Sequence, residues 1–431
     1  MTDRIVAGHP AQEPAPATSG ALAQAPERPL VPLLTPRDGV PPVLTSTDEL
    51  ARAAQALAAA EGPVAADAER ASGFRYGQHN YLVQLRREGA GTFLIDTTAL
   101  PDLSIITEAL HGVEWVFHAA SQDLLPMAEQ RLFPDRLFDT ELAARLLGMP
   151  RVGLGAVIAD VLGLQLRKEH SASDWSRRPL PAPWLEYAAL DVEVLVELRE
   201  RLGERLEEAG KAEWAAQEFE AVRTAPPPAP RPEPWRRTSG THGLRDRRQL
   251  AIVRALWHAR DTSARARDIA PGRVLPDRAI VAAAAATPRT VGQLVTLPEF
   301  AGKAARRRAA VWQRAIDEAM ALPADRLPSL RGPRTDGPPP PRAWADRDPV
   351  AARRLAAARE IVAGLSEQLA VPVENLLQPD ALRRLCWTPP EPATPDAVAE
   401  FLRGRGARPW QVGLLAERLA AAFAAVPGEA A

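Results

Sequence analysis

The chain has 431 residues, more than a single hydrophobic core usually serves, so roughly two to four domains are expected. Its 53 Lys and Arg nearly balance 54 Asp and Glu, which excludes a globally basic nucleic-acid-binding chain and makes any basic surface local. The single cysteine, Cys386, excludes an intramolecular disulfide, and the longest apolar run, 279–286, is too short for a bilayer; a soluble, cytoplasmic chain with no membrane partner is expected.

Residues 1–43 are rich in Ala and Pro with little periodicity and read as a disordered tail. Val64-Ala65-Ala66, 81–85 and 92–95 then read as successive strands, the first two joined by a loop carrying Gly73 and Gly77. A helix is expected over 103–110, a short buried strand over 115–118, and helices starting near Asp123, Asp139 and Leu154. The last helix of this segment is expected to run unbroken over 184–202, with Leu185, Ala188, Ala189, Val192, Leu195 and Leu198 on its apolar side. Residues 44–223 thus form an expected α/β domain, a mixed sheet covered by helices. Proline-rich stretches at 224–240 and 324–342 read as semi-extended spacers. They separate 241–323 and 343–426, which show helical periods alone and are expected to be tethered helical modules.

The chemistry of the first domain follows from side-chain direction. Asp67 and Glu69, at i and i+2 on a strand end, point the same way, and such a carboxylate pair is costly unless a cation neutralises it, though surface strands often carry one; hard oxygen donors suit Mg²⁺ or Mn²⁺. Asp123 stands where a buried strand gives way to a helix, a position that suits either a helix cap or a site. Tyr187 and Asp191, at i and i+4, share one helix face. Each feature alone is common. Together, in this order and in one domain, they supply four carboxylates and a tyrosine, the set required for hydrolysis of phosphodiesters with two divalent cations about 4 Å apart. In that reading Asp67 bridges both cations, Glu69 and Asp191 hold the one that generates hydroxide, and Asp123 supports the other directly or through water. Tyr187 orients the water, because a phenol with a pKa near 10 is a poor base at neutral pH. His118 is read as a hydrogen-bonded residue at a strand end.

These residues lie in longer motifs: Val64-Ala65-Ala66-Asp67-Ala68-Glu69, Val116-Phe117-His118-Ala119-Ala120-Ser121-Gln122-Asp123, Phe138-Asp139-Thr140-Glu141, Ser173-Asp174-Trp175-Ser176-Arg177-Arg178-Pro179-Leu180 and Glu186-Tyr187-Ala188-Ala189-Leu190-Asp191. On them, the domain resembles ribonuclease D, a branch of the DEDD exonuclease superfamily with tyrosine in its third motif. The resemblance implies a ribonuclease H-like fold and hydrolysis of RNA from a free 3′ end, tRNA precursors among the substrates, with release of nucleoside 5′-monophosphates. It also assigns Arg178 to nucleic-acid contact. The family's first motif usually carries Thr between its acids and an aromatic just after; here Ala68 and Arg70 stand there. Two alternatives remain: a DNA exonuclease of the same mechanism, since no motif exposes a 2′-hydroxyl contact, and a silent RNA-binding adaptor, which has no need of all five site residues.

Between Thr241 and Leu322, 15 basic residues face 7 acidic ones, so positive charge is segregated into the second segment. Lys303, Arg306, Arg307 and Arg308, at an expected helix start, could meet several phosphates. Leu250 to His258, Asp268 to Asp277 and Thr290 to Leu297 resemble a helicase-and-RNase-D C-terminal (HRDC) domain, which implies nucleic-acid binding. Val373-Glu374-Asn375-Leu376-Leu377 occupies the equivalent loop of the third segment, which resembles a second, divergent copy. No segment calls for an obligate protein partner.

Overall fold

A computed structural model describes residues 29–166, 172–332 and 336–426. Short strands β1 (Val31–Leu33) and β2 (Val43–Leu44) precede α1 (Thr47–Ala59). Ser46 starts that helix by accepting from the Glu49 N–H while the Glu49 carboxylate accepts from the Ser46 N–H, satisfying two donors that a helix start leaves open. Strands β3 (Val64–Arg70), β4 (Asn80–Arg87) and β5 (Gly91–Ile95) follow as an antiparallel meander. Then come α2 (Ser104–Ala109), β6 (Glu114–Phe117), α3 (Leu124–Glu129), β7 (Arg136–Asp139), α4 (Thr140–Leu146), α5 (Leu154–Leu162) and β8 (Leu164–Leu166). Helices α6 (Ala182–Glu193), α7 (Leu195–Glu208) and α8 (Ala212–Arg223) complete the domain.

Six strands form one mixed sheet in the order β2-β5-β4-β3-β6-β7, β3 pairing antiparallel with β4 and parallel with β6. Because β3 is central and covered on both faces, its first residues are an unbroken apolar run, and Val64, Ala65 and Ala66 are fully buried.

Several expectations change at this level. Part of the stretch read as a tail is folded: β1 pairs in parallel with β8, and β2 with β5. Two- or three-residue strands are held by backbone hydrogen bonds and leave no periodicity to read; residues 1–28 lie outside the described residues. Strand β7 was not anticipated: it runs directly into α4, and only that helix start near Asp139 was read there. The expected helix 184–202 breaks at Val194, whose φ of −120° and ψ of 11° leave the helical region. No Pro or Gly marks the break. Its cause is tertiary: α6 covers β3, β4 and β5, α7 covers β6 and the near side of β3, and one straight helix could not do both. The spacers are also docked at their ends. Trp235 is buried in the core of the second module, and the carbonyls of Leu327 and Pro328 accept from Arg247.

The second module comprises α9 (Arg247–Arg265), α10 (Pro271–Val274), α11 (Asp277–Ala286), α12 (Val291–Thr296), α13 (Lys303–Arg307) and α14 (Ala309–Met320) around Ile252, Leu256, Ile280, Phe300, Trp312 and Ile316. It docks on the β3–β4 loop: Ala270 N–H donates to the Phe74 carbonyl (2.9 Å), the Tyr76 hydroxyl donates to Asp261 (3.0 Å), and Arg273 lies 4.0 Å over the Phe74 ring. The third module contains α15 (Trp344–Arg347), α16 (Pro349–Leu369), α17 (Val373–Leu376), α18 (Pro379–Trp387), α19 (Pro395–Arg403) and α20 (Pro409–Ala425). It is no loose tether, for its core is continuous with that of the first domain. Trp214 stacks on Trp410 at 4.8 Å, a pairing that contributes about 0.5–1.5 kcal/mol beyond its buried area. Glu218 accepts from Arg408, Trp410 Nε1 and Gln411 Nε2, and Lys211 Nζ donates to the carbonyls of Leu146 and Leu369, the last residue of α16. Cys386 is buried in this module, its thiol pushed up to about 12 by burial, and behaves as a core residue. No helix among the described residues is long and apolar enough to cross a membrane.

Candidate active site

Strand β3 delivers Asp67 and Glu69 to the face covered by α6. Their cross-strand partners on β4 are Gln84 and Leu82, and Leu82 packs with Leu94 against Ala188 and Ala189 of α6. Two consecutive alanines let the helix lie close to the sheet, and the i, i+4 spacing then aims Tyr187 and Asp191 at the strand acids. Pro183 in the first turn of α6 does not cost a hydrogen bond, because N–H groups there have no intrahelical partner. The loop before α6 fixes the tyrosine from the other side: Trp175 is fully buried and packs against Trp184 (5.3 Å) and Tyr187 (6.4 Å).

Carboxylate oxygens of Asp67, Glu69 and Asp191 lie within 4.8 Å of one another. The Tyr187 hydroxyl donates to the Asp191 carboxylate one turn along. Asp123, in the turn after β6, is not one of that 4.8 Å group but lies near enough for its charge to raise Glu69; its side chain caps no helix and forms an ion pair with Arg70 at 3.7 Å. That turn is held by a residue the sequence reading passed over. Asp139, at the end of β7, accepts from the backbone N–H groups of Ala119 (3.1 Å) and Ala120 (2.9 Å), stabilising the left-handed Ala119 (φ 64°), and from Glu141 and Leu142 at the start of α4. An Asp directly before a Thr-Glu-Leu helix start was the available signal for the cap, though not for the reach to the neighbouring turn.

Burial governs the electrostatics. Desolvation, with neighbouring acids adding to it for Asp123, pushes Asp67 up to about 6 and Asp123 up to about 8. Glu69 and Asp191 are raised well above the usual carboxylate range by burial first and by their acidic neighbours second. At an effective dielectric near 20, two unit charges about 4 Å apart repel by about 4 kcal/mol, so without a cation the cluster retains protons at neutral pH. Divalent cations displace those protons, and buried hard oxygens this close together fit Mg²⁺ or Mn²⁺. Tyr187 is held above the ordinary phenol range by burial and by Asp191, which keeps it a donor. His118 is pushed down to about 4 by burial and its Nδ1 lies 2.8 Å from Thr140 Oγ1, so it is a neutral brace at the strand end.

One consequence is a pH-dependent stability. Folded-state carboxyl groups near 6 and 8 compare with about 4 in the unfolded chain, so between those values the folded state binds more protons and stability falls as pH rises. The metal-free chain should melt at a lower temperature at pH 8 than at pH 5.5, and Mg²⁺ should stabilise it more at pH 8. Thermal melts at both pH values, with Mg²⁺ or with chelator, check this; equal Mg²⁺ stabilisation at the two would contradict it.

Arg178 departs from its expected place in nucleic-acid contact. Its Nε and Nη2 donate to the two Asp96 oxygens (2.6 Å each), Nη1 to the Trp175 and Arg177 carbonyls (2.8 Å each) and Nη2 also to the Tyr81 carbonyl (2.7 Å). All five N–H groups are engaged inside the protein, so Arg178 pins the Trp175 loop to the sheet. The Asp96 carboxyl is held below its ordinary value by its Arg178 and Thr98 hydrogen bonds, which outweigh its desolvation. Lys303, Arg306 and Arg307 are exposed on α13 and Arg308 is half-buried at its C-terminal end; none has an ion-pair partner among the described residues. The structure places all four on the second module, apart from the carboxylates.

Residues 42–207 match a family described as 3′-5′ exonuclease, 249–316 match the HRDC domain, and 337–423 match a family described as 3′ to 5′ exonuclease C-terminal domain. Fold and site therefore define a 3′-5′ exonuclease with a ribonuclease H-like α/β domain. Ribonuclease D of Granulibacter bethesdensis is 30% identical over 365 residues, 82% of this chain and 88% of that protein. Ribonuclease D of Gluconacetobacter diazotrophicus is 32% identical over 302 residues, 67% and 74% of the two chains. Among solved structures, a Bifidobacterium adolescentis protein superposes with a TM-score of 0.83 at 41% identity, covering 92% of this chain and all of that one. Escherichia coli RNase D, described as an exoribonuclease involved in structured RNA processing, gives a TM-score of 0.64 at 25% identity over 90% of this chain and 99% of its own. The chain belongs to the ribonuclease D family and is a 3′-5′ exoribonuclease. One HRDC domain is matched; the third module matches a C-terminal domain family of its own.

Proposed function

We propose that this exoribonuclease trims structured RNA, tRNA precursors included, from a free 3′ end in the cytoplasm, with two divalent cations, Mg²⁺ or Mn²⁺, held by Asp67, Glu69, Asp123 and Asp191. The observation that carries the reading is the convergence of β3, α6 and the turn after β6 on one buried carboxylate cluster beside Tyr187. Bound there, the cations would activate a water and stabilise the oxygen that leaves. Asp67 would serve both cations, Glu69 and Asp191 would hold one, and Asp123 would support the other. Tyr187, kept protonated, directs the attacking water through its hydroxyl while Trp175 holds its ring. Purified protein offered 5′-labelled single-stranded RNA, 3′-tailed structured RNA and DNA in parallel tests the substrate class; preference for DNA would overturn it.

Tyr187→Phe removes the hydroxyl alone. Its kcat should fall by roughly 10² to 10⁴, with little change in metal affinity, if the hydroxyl acts as other proton-positioning groups do. Single-turnover kinetics measure this, and an unchanged rate would remove Tyr187 from the mechanism.

The basic second module supplies the grip on the RNA body. Replacing Arg306, Arg307 and Arg308 with Ala should weaken binding and flatten its salt dependence, by up to about 2 to 3 in slope if every side chain meets a phosphate. Binding isotherms at several salt concentrations decide this; an unchanged slope would leave the run as a solvated face. The third module reads as a divergent second HRDC-like bundle. In each, a long helix (α9, α16) is followed by a single turn (α10, α17) and a buried leucine in extended backbone, Leu275 at φ −153° and Leu377 at φ −159°, before three further main helices (α11, α12 and α14; α18 to α20).

A further inference from the structure

The loop between β3 and β4 is held from two sides. On one side stands the second module. Ala270 N–H donates to the Phe74 carbonyl (2.9 Å), Arg273 Nε donates to the Gly73 carbonyl (2.7 Å), and the Asp268 carboxylate accepts from the Tyr76 N–H (3.1 Å). Three backbone groups of the loop are thus satisfied by the turn after α9 and by α10. The Tyr76 ring packs on the core of that module, where its hydroxyl donates to Asp261 and accepts from Arg265.

On the other side stands the segment that seats the site tyrosine. Arg75 Nε donates to Ser176 Oγ (2.7 Å), and Ser176 Oγ donates to Asp174. Ser176 directly follows Trp175, the buried ring packed against Tyr187. The Arg75 Nη1 also lies 3.7 Å from Asp268, so one side chain joins the turn after α9, its own loop and the Trp175 segment. Its pair with Asp268 is exposed (38% and 49%) and adds little to stability. Its effect is on position. Arg178 ties the Trp175 segment to the sheet through Asp96, and Arg75 ties it to the second module. A displacement of about 1 Å in a group that directs the attacking water can cost about 10²-fold in rate.

We propose that Arg75 is a positioning residue through which the second module seats Tyr187. The module then contributes to the chemical step itself, apart from any grip on RNA. The inference rests on the reading of Tyr187 as the group that orients the attacking water.

The test gives the full chain, with Mn²⁺, a substrate that has no RNA body to grip: the 4-nitrophenyl ester of uridine 5′-monophosphate. Water attacks phosphorus, the bond from phosphorus to the nitrophenyl oxygen breaks, and uridine 5′-monophosphate, nitrophenolate and a proton are released. Arg75→Ala and Ser176→Ala should each lower kcat on the ester about tenfold or more, with KM within about twofold of wild type. Asp268→Gly, which suits the left-handed backbone there (φ 47°) and lies wholly in the second module, should lower kcat in the same direction. Because Arg75 acts through the tyrosine, adding Arg75→Ala to Tyr187→Phe should cost nothing beyond Tyr187→Phe alone. Melting curves establish that each variant is folded. Wild-type kcat in Arg75→Ala and Ser176→Ala, beside a slow Tyr187→Phe, would overturn the brace and leave the role of Tyr187 intact. Losses that add in the double variant, or that fall on KM alone, would overturn it as well. A wild-type rate in Asp268→Gly would remove the second module from the chemical step. A wild-type rate in Tyr187→Phe would overturn the reading of Tyr187 itself.

Discussion

Asp67→Asn should abolish turnover and leave the fold intact. The substitution keeps volume and shape but removes a charge from the residue proposed to serve both cations. Several kcal/mol of charge stabilisation go with it, and at about 1.4 kcal/mol per tenfold the expected fall in kcat is roughly 10³-fold or more. The same change relieves repulsion: the Asp67 charge raises the carboxyl groups of Glu69, Asp123 and Asp191, while desolvation pushes Asp67 itself up to about 6. The metal-free variant should therefore melt no lower than wild type at pH 8. This pairing of lost activity with retained or raised stability separates a ligand from a structural acid. An Asp67→Asn protein with near wild-type rates, or one that loses activity because it unfolds, would contradict the assignment.

Glu218→Ala should unfold the junction between the catalytic domain and the third module. The Glu218 side chain is 3% exposed and is the common acceptor for Arg408, Trp410 Nε1 and Gln411 Nε2. Removing it leaves a largely enclosed guanidinium and an indole N–H without their partner, for which a loss of about 3–5 kcal/mol is expected. Chemical denaturation reads that loss, and a change under about 1 kcal/mol would show the pair to be dispensable. It follows that cutting the chain after Arg223 does more than remove an RNA grip. The continuous core, including the Trp214 and Trp410 stack, would be opened, so such a truncation should lower stability as well as raise KM.

Asp67, Glu69, Asp191 and Tyr187 were legible as one group because each sits where local periodicity sets direction, whereas the place of Asp123 depends on a turn held by Asp139. Asp67 and Glu69 obey the two-residue repeat of a strand, and Tyr187 and Asp191 the four-residue reach of a helix. The mixed sheet was legible because 64–66, 81–85 and 92–95 follow one another as short apolar runs, the first two joined by a loop carrying Gly73 and Gly77. What escaped the sequence depends on contacts between distant segments. Nothing local marks the register shift between Glu69 and Arg70, because it arises from pairing with β4. The break at Val194 reflects the width of the sheet beneath, and the strand Val31–Leu33 exists because Leu164–Leu166 offers it a free edge. Arg178 illustrates the limit most clearly: a basic residue in a functional motif reads as a phosphate contact until Asp96, 82 residues away, is seen to take it.

The central claim, hydrolysis from a free 3′ end by a carboxylate-bound metal site, is tested most directly by one comparison. The full chain is given the same 5′-labelled RNA sequence in linear form and, internally labelled, as a closed circle, with Mg²⁺ or with chelator. The account predicts stepwise shortening of the linear RNA from its 3′ end with release of nucleoside 5′-monophosphates, no attack on the circle, and no reaction in chelator. Digestion of the circle at the linear rate, or activity that survives metal removal, would contradict it.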